Sequence, residues 1–177
     1  ARINGFEPAI VTGKPIHLHG SLGRDAATGR GCVFAIREVL RFDGKQIAET
    51  RFAVQGFGNV GSWVAKLLHK SAGKVLAVSD MHGGIFAADG LDIPAVCKHM
   101  EETGSVVKFP GSEPISNDDL LVCDCDVLVP AAIGHVLHDQ NAKDVKAQYV
   151  IEAANGPCTA EADEIFRSRD ILCAPDI

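Results

Sequence analysis

Glycines 56, 58 and 61 stand at G-x-G-x-x-G spacing within Val54-Gln55-Gly56-Phe57-Gly58-Asn59-Val60-Gly61. Glycine at these intervals lets a backbone turn sharply and come close to a pyrophosphate with no side chain between them. Alone the pattern is weak, because Gly-rich turns are common; its setting gives it chemical meaning. Phe52 to Gln55 reads as a short buried strand entering Gly56. A helix leaves from Asn59 or Val60, with Val60, Val64, Leu67 and Leu68 on one face as far as His69. Gly56 then makes the tight turn, Gly58 admits the phosphates, and Gly61 lets the helix pack against the sheet. The backbone from Phe57 through Asn59 and Val60 offers N–H groups and the positive end of a helix dipole. "KVLAVSD" (74–80) reads as the next strand, and it ends in a carboxylate 24 residues after Gly56. Asp80 at that position accepts hydrogen bonds from adenosine ribose hydroxyls and repels a 2′-phosphate. This favours NAD, while His82 or a nearby Lys leaves NADP open.

Ligands of open α/β sheets bind beyond the carboxyl ends of the strands, and three further segments are candidates there. They are Pro130-Ala131-Ala132, Ala154-Asn155-Gly156, and a Thr28-Gly29 turn opening the first helix. The Asn155 amide suits a carboxamide or a ribose hydroxyl, and the Thr28 hydroxyl stands at a helix start. Equally, Asn155 reads as a turn residue and Thr28 as an N-cap.

The elements that must position these residues follow from the apolar pattern. Residues 26–41 have helical spacing at Val33, Ile36, Val39 and Leu40. Gly83 to Phe86 reads as a turn and a short extended piece. Leu91 to Glu102 reads as a helix with Asp92 as N-cap and Pro94 in its first turn. The sequence predicts loop over 109–117, a short helix over 118–122, and strands over 126–129, 148–153 and 171–174. A helix capped by Thr159 runs through Arg167. Strands alternating with helices define an α/β, doubly wound, Rossmann-like domain with a mostly parallel sheet, occupying residues 1–177 as one unit.

Composition narrows the partners. The net charge of −6, with Lys and Arg scattered, argues against nucleic acid and anionic membranes. No apolar run reaches the roughly 18–20 residues of a membrane span. Six cysteines (32, 97, 123, 125, 158 and 173) include one close pair, Cys123-Asp124-Cys125, with no second pair at zinc-finger spacing. They read as reduced structural thiols of a cytoplasmic protein, and no metal is expected. His17 and His19, two apart on an extended segment, would share one side, but no third ligand is visible. A small reductase using a Tyr-x-x-x-Lys pair is disfavoured, because the sole tyrosine, Tyr149, lies inside a predicted strand without that spacing.

Several runs resemble the glutamate dehydrogenases, within the Glu/Leu/Phe/Val amino-acid dehydrogenase family. They are "VTGKP" (11–15), "GSLGRDAATGRG" (20–31), "VQGFGNVG" (54–61), "VSD" (78–80), "CDVLVPAA" (125–132), "EAANGP" (152–157) and "PDI" (175–177). The resemblance implies NAD(P)-dependent oxidative deamination of L-glutamate to 2-oxoglutarate and ammonia. It further implies that Thr28 contacts the carboxamide, that Asn155 binds on the nicotinamide side, and that Pro130 to Ala132 line the cofactor cleft. Arg24 would belong to a loop near an interdomain cleft. The family's catalytic Lys and Asp lie in an N-terminal domain, and its C-terminal helices follow "PDI". Neither segment is recognised here, so the chain reads as an excised cofactor domain with no catalytic residue of its own, inactive alone. Full-length relatives are commonly hexamers acting on a small amino-acid substrate, and the isolated domain is expected as a monomer or dimer. The alternatives are a non-catalytic nucleotide-binding or sensory module, or a relative acting on leucine, valine or phenylalanine.

Overall fold

A computed structural model describes residues 13–176; the start of "VTGKP" and Ile177 of "PDI" lie outside the described residues. Seven strands form one sheet: β1 (Arg51–Gln55), β2 (Lys74–Asp80), β3 (Gly83–Phe86), β4 (Glu113–Ile115), β5 (Val127–Pro130), β6 (Tyr149–Ile151) and β7 (Leu172–Ala174). Their order is β4-β3-β2-β1-β5-β6-β7. The run from β2 to β7 through β1 is parallel, and β3 and β4 join it antiparallel. The winding reverses at β1, so β1 and β5 are neighbours although β2, β3 and β4 intervene in sequence.

Apolar residues on both faces of the central strands require cover on both sides. Phe52 and Val54 of β1 face one layer with Val33, Ile36 and Leu40 of α1 (Arg24–Phe42), Val64 and Leu68 of α2 (Asn59–Lys70), and Ile93 and Val96 of α3 (Ile93–Thr103). Ala53, between them, faces the other layer with Leu120 and Leu121 of α4 (Asn117–Leu121) and Ala162 and Phe166 of α5 (Ala160–Ser168). This period-2 division makes the domain doubly wound.

Two expectations need correction. The segment 109–117 is not all loop: Glu113–Ile115 pairs with β3, Pro114 lying opposite Ile85. Pro114 is tolerated because β4 is an edge strand, where a missing N–H breaks no ladder on the open side. The first helix starts at Arg24, with Gly23 as its N-cap at φ 75°. Thr28 is therefore inside α1, neither its N-cap nor part of an opening turn, and Arg24 is helical rather than in a loop.

Arg51 and Asp126 fasten the amino ends of the two central strands. The Asp126 Oδ2 accepts from the Arg51 backbone N–H at 2.7 Å, and its Oδ1 from Arg51 Nη2 at 2.9 Å. Burial opposes the ionised Asp126, but the Arg51 hydrogen bonds and charge outweigh it and hold the carboxyl below its ordinary range. A depressed folded-state pKa stabilises above the unfolded carboxylate value of about 4 and stops doing so as pH falls through the folded value. Asp126→Ala is expected to lose about 1–2 kcal/mol at pH 7, the partial exposure of the pair limiting it. In urea unfolding the gap to the parent chain should narrow at pH 3; an equal gap at both pH values would refute the assignment.

Candidate functional site

The carboxyl ends of β1, β2 and β5 open into one cleft of about 710 Å³. The β1–α2 turn forms its floor through Gly56, Phe57 and Gly58, Asp80 stands at the end of β2, and Ala131 and Ala132 follow β5. The walls are cross-linked by main chain: Ala131 N–H donates to the Gln55 carbonyl at 2.7 Å, and Gly56 N–H to the buried Ser79 hydroxyl at 3.3 Å. Half of the predicted binding residues therefore meet in a single cavity.

The amino end of α2 is the anion-favouring wall. Helices α3, α4 and α5 have their first turns capped by side chains: Asp92 accepts from Ala95 N–H, Ser116 from Asp119 N–H and Thr159 from Ala162 N–H. The N-cap of α2 is Gly58, which has no side chain to offer, so the first-turn N–H groups are left for another acceptor. A Cβ on Gly58 would meet nothing within 4 Å, so open space lies where a ligand would approach. Gly56 has φ +92°, and a Cβ there would lie 3.0 Å from the Ala131 carbonyl carbon and oxygen and 2.9 Å from the Ala132 Cβ. Gly61 faces the Gly56 carbonyl and Val54, the close helix-to-strand approach expected of it.

Thr28 reaches the same end of the sheet by helix packing. Its neighbour Gly29 lets α1 lie against α2, since a Cβ there would be 2.7 Å from the Trp63 Cβ and 3.1 Å from the Val60 carbonyl oxygen. Asn59 donates its side-chain amide to the Asp25 carbonyl at 2.9 Å, tying the two helix starts together. Thr28 is exposed, and its hydroxyl accepts from Arg24 Nη1 at 3.3 Å. Thr28, Asn59, Val60, Gly61, Pro130 and Asn155 are not in the cleft wall itself. The Phe57 side chain is buried and packs in the core, so only its backbone is available to the turn. Pro130 is the buried last residue of β5. Its carbonyl accepts from Ala153 and Ala154 N–H at 3.1 and 3.0 Å, which fixes the loop carrying the exposed Asn155.

Asp80 has more work than its sequence position suggests. Its Oδ1 accepts from His82 N–H at 2.7 Å; its Oδ2 accepts from the Ser105 hydroxyl at 2.6 Å and Val106 N–H at 2.7 Å. Burial disfavours the charge, but these three donors, with the nearby His82, overcome it and keep the carboxyl below its ordinary range. The group is an anion at neutral pH with acceptor capacity remaining on Oδ1.

Sequence reasoning missed Gln55. Its side chain is 5% exposed and lines the cleft, and among the described residues its Oε1 is the buried side-chain polar atom without a hydrogen-bond partner. A glutamine ending an otherwise apolar buried strand was the available signal. Also missed were Met81 and Ile133, 88% and 69% exposed, which add apolar side chains to the lining of the cleft. His17 lies in a 3-10 turn (Ile16–Leu18), and His19 follows it at φ 65°. The two are thus not on an extended segment, and among the described residues they join no three-ligand cluster.

A mostly parallel sheet whose winding reverses beside a Gly-rich strand-to-helix turn, with an acidic residue ending the next strand, defines the Rossmann-like class of α/β domains. Within that class the chain belongs to the Glutamate/Leucine/Phenylalanine/Valine dehydrogenase family, whose sequence profile matches residues 20–177. It is 43% identical to the cryptic catabolic NAD-specific glutamate dehydrogenase GudB of Bacillus subtilis, over all of this chain and 42% of that protein. The hetero-hexameric glutamate dehydrogenase of Thermus thermophilus superposes with a TM-score of 0.87 at 34% identity, covering 96% of this chain and 40% of that one. The glutamate dehydrogenase of Peptoniphilus asaccharolyticus gives 0.75 at 32% identity, covering 93% and 38%. The chain thus spans about two-fifths of the length of these relatives.

Proposed function

We propose that this chain is the dinucleotide-binding part of an NAD-dependent dehydrogenase that oxidatively deaminates L-glutamate. The observation that carries the reading is the cleft in which the Gly56–Gly58 turn, the uncapped start of α2 and the Asp80 carboxylate meet. The residues fit an NAD molecule by their own chemistry. The α2 amino end and Gly58 take the pyrophosphate, Asp80 takes the adenosine ribose, and Ala131 and Ala132 flank the path toward Asn155 and Thr28 on the nicotinamide side. When bound, the nicotinamide supplies the acceptor for the hydride that leaves the amino-acid Cα; water then replaces the nitrogen, giving 2-oxoglutarate and ammonia. This chain's residues hold and orient that acceptor, and the turn excludes side chains from its phosphates. Glutamate as substrate rests on the likeness to glutamate dehydrogenases in sequence and fold. A cytoplasmic setting, in keeping with six unpaired thiols, and assembly into a hexamer in the full-length protein belong to the same reading.

A fluorescence titration with NADH and NADPH side by side tests it. NADH is expected to bind roughly ten-fold more tightly, about 1.4 kcal/mol, and the 177-residue chain is expected to show no glutamate turnover. Failure to bind either nucleotide would remove the cofactor reading. Equal or tighter NADPH binding would remove the Asp80 argument, and turnover in a rigorously purified sample would show that catalytic groups lie within these residues.

A further inference from the structure

At the carboxyl end of β6, beside a cleft that shares no lining residue with the dinucleotide cleft, three metal-ligating side chains converge. Glu152 follows β6, Cys158 precedes α5 and Cys173 lies on β7; among the described residues theirs is the one such cluster, with no two donor atoms more than 4.8 Å apart. The two sulfurs are 3.9 Å apart, and the Cys173 sulfur is 3.9 Å from Glu152 Oε1. Tetrahedral zinc with bonds of about 2.3 Å to sulfur and 2.0–2.2 Å to oxygen needs edges of about 3.8 Å between sulfurs and about 3.6 Å from sulfur to oxygen. Two of the three edges, between the sulfurs and from Cys173 to Glu152, therefore stand within a few tenths of an ångström of those values, and the third, from Cys158 to the Glu152 carboxylate, lies within 4.8 Å. A disulfide would require the sulfurs to close to about 2.05 Å.

The carboxylate is already aimed. Its Oε1 accepts from Cys158 N–H at 3.3 Å and its Oε2 from Asp176 N–H at 2.9 Å, the kind of outer support that orients a metal ligand. All three residues are half-buried, and they line a cleft of about 520 Å³ that leaves room for a water as fourth ligand. We propose that Cys158, Cys173 and Glu152 form a binding site for a thiophilic divalent cation of the zinc type, with an open fourth position. The cation displaces the thiol protons to solvent, and no oxidant or reductant is involved. By joining the two ends of the 152–158 segment to β7, it cross-links the loop that carries Asn155. The proposal stands on these donor positions alone and is independent of the dinucleotide reading.

The test is a Co²⁺ titration of the reduced protein, followed by Zn²⁺ competition. The expected result is one equivalent bound with intense visible bands of tetrahedral cobalt and thiolate-to-metal charge transfer, both abolished by excess Zn²⁺. Cys158→Ser and Cys173→Ser should each weaken binding by roughly 100-fold or more, and Glu152→Gln by a smaller factor. In the unmutated protein Zn²⁺ should protect Cys158 and Cys173, and not Cys32 or Cys97, from alkylation as read by mass spectrometry. This second measurement does not depend on any variant folding. Octahedral spectra, unchanged affinity in both Ser variants, protection confined to Cys123 and Cys125, or a Cys158–Cys173 disulfide in place of metal uptake would each overturn the proposal.

Discussion

Gly56→Ala should lower the unfolding free energy by about 2–5 kcal/mol and abolish NADH binding, whereas Gly58→Ala should leave stability within about 0.5 kcal/mol and lose NADH affinity alone. At Gly56 two penalties combine. A left-handed backbone at φ +92° costs an L-residue roughly 1–2 kcal/mol. The added methyl also presses on the Ala131 main chain at 3.0 Å, where overpacking costs roughly 1–3 kcal/mol. The chain after β5 cannot withdraw freely, because Ala131 N–H is held by the Gln55 carbonyl and Pro130 anchors the Asn155 loop. At Gly58 neither penalty applies: its φ is −74°, and a Cβ would point into open space. Ala there fills the approach of the pyrophosphate, and forfeiting a hydrogen bond to a charged group, about 1.5–3 kcal/mol, means roughly 10- to 100-fold weaker binding. Thermal or urea unfolding beside NADH titration separates the two effects. If Gly58→Ala binds NADH normally, the phosphates do not lie at the start of α2.

What could be read from the sequence is what local chemistry determines. The span Lys74–Asp80 was legible to the residue, because an apolar run too short for a helix, with Val75 and Val78 between polar ends, reads as a buried strand. The Asp92 and Thr159 caps were legible because a side-chain oxygen just before an amphipathic run finds the third N–H of the helix by covalent geometry. Strand β4 was not legible, since its pairing is imposed by the neighbouring β3, and Pro110 before it and Pro114 within it both speak for a loop. Thr28 was misplaced because α1 begins on a glycine in a left-handed conformation, Gly23, which is not a typical N-cap signal.

The same distinction runs through the site. The turn around Gly56 is local and carries its own signature, and six of the residues the sequence offered as candidates line one cleft. The juxtaposition of Cys158 with Cys173, 15 residues on, arises only when β7 pairs with β6 and returns the chain past Glu152. Spacing in sequence has no bearing on it. Asp80 shows both kinds of information in one residue: its place at a strand end was legible, while its donors Ser105 and Val106 arrive from beyond α3.

That double role makes Asp80 the site of the second large effect. Asp80→Ala is expected to cost about 2–4 kcal/mol, because Val106, which is fully buried, loses the acceptor of its N–H and Ser105 loses that of its hydroxyl. Asp80→Asn keeps an oxygen for one donor but turns an NH₂ toward others, and should fall between Ala and the parent chain. The folded-state carboxyl is held below its ordinary range by these donors despite burial. Its contribution is therefore complete above the unfolded carboxylate value of about 4 and fades as pH drops through the folded one. The stability gap to Asp80→Ala should accordingly shrink in acid. Nucleotide choice should follow charge instead. Both variants remove the anion facing a 2′-phosphate, and both should shift the NADPH-to-NADH affinity ratio by roughly ten-fold toward NADPH. Stability thus ranks parent, Asn, Ala, while the ratio sets parent apart from both variants. A ratio that moved in step with stability would mean that Asp80 acts only by holding the 105–107 segment in place, and the proposal that it selects NAD would fall.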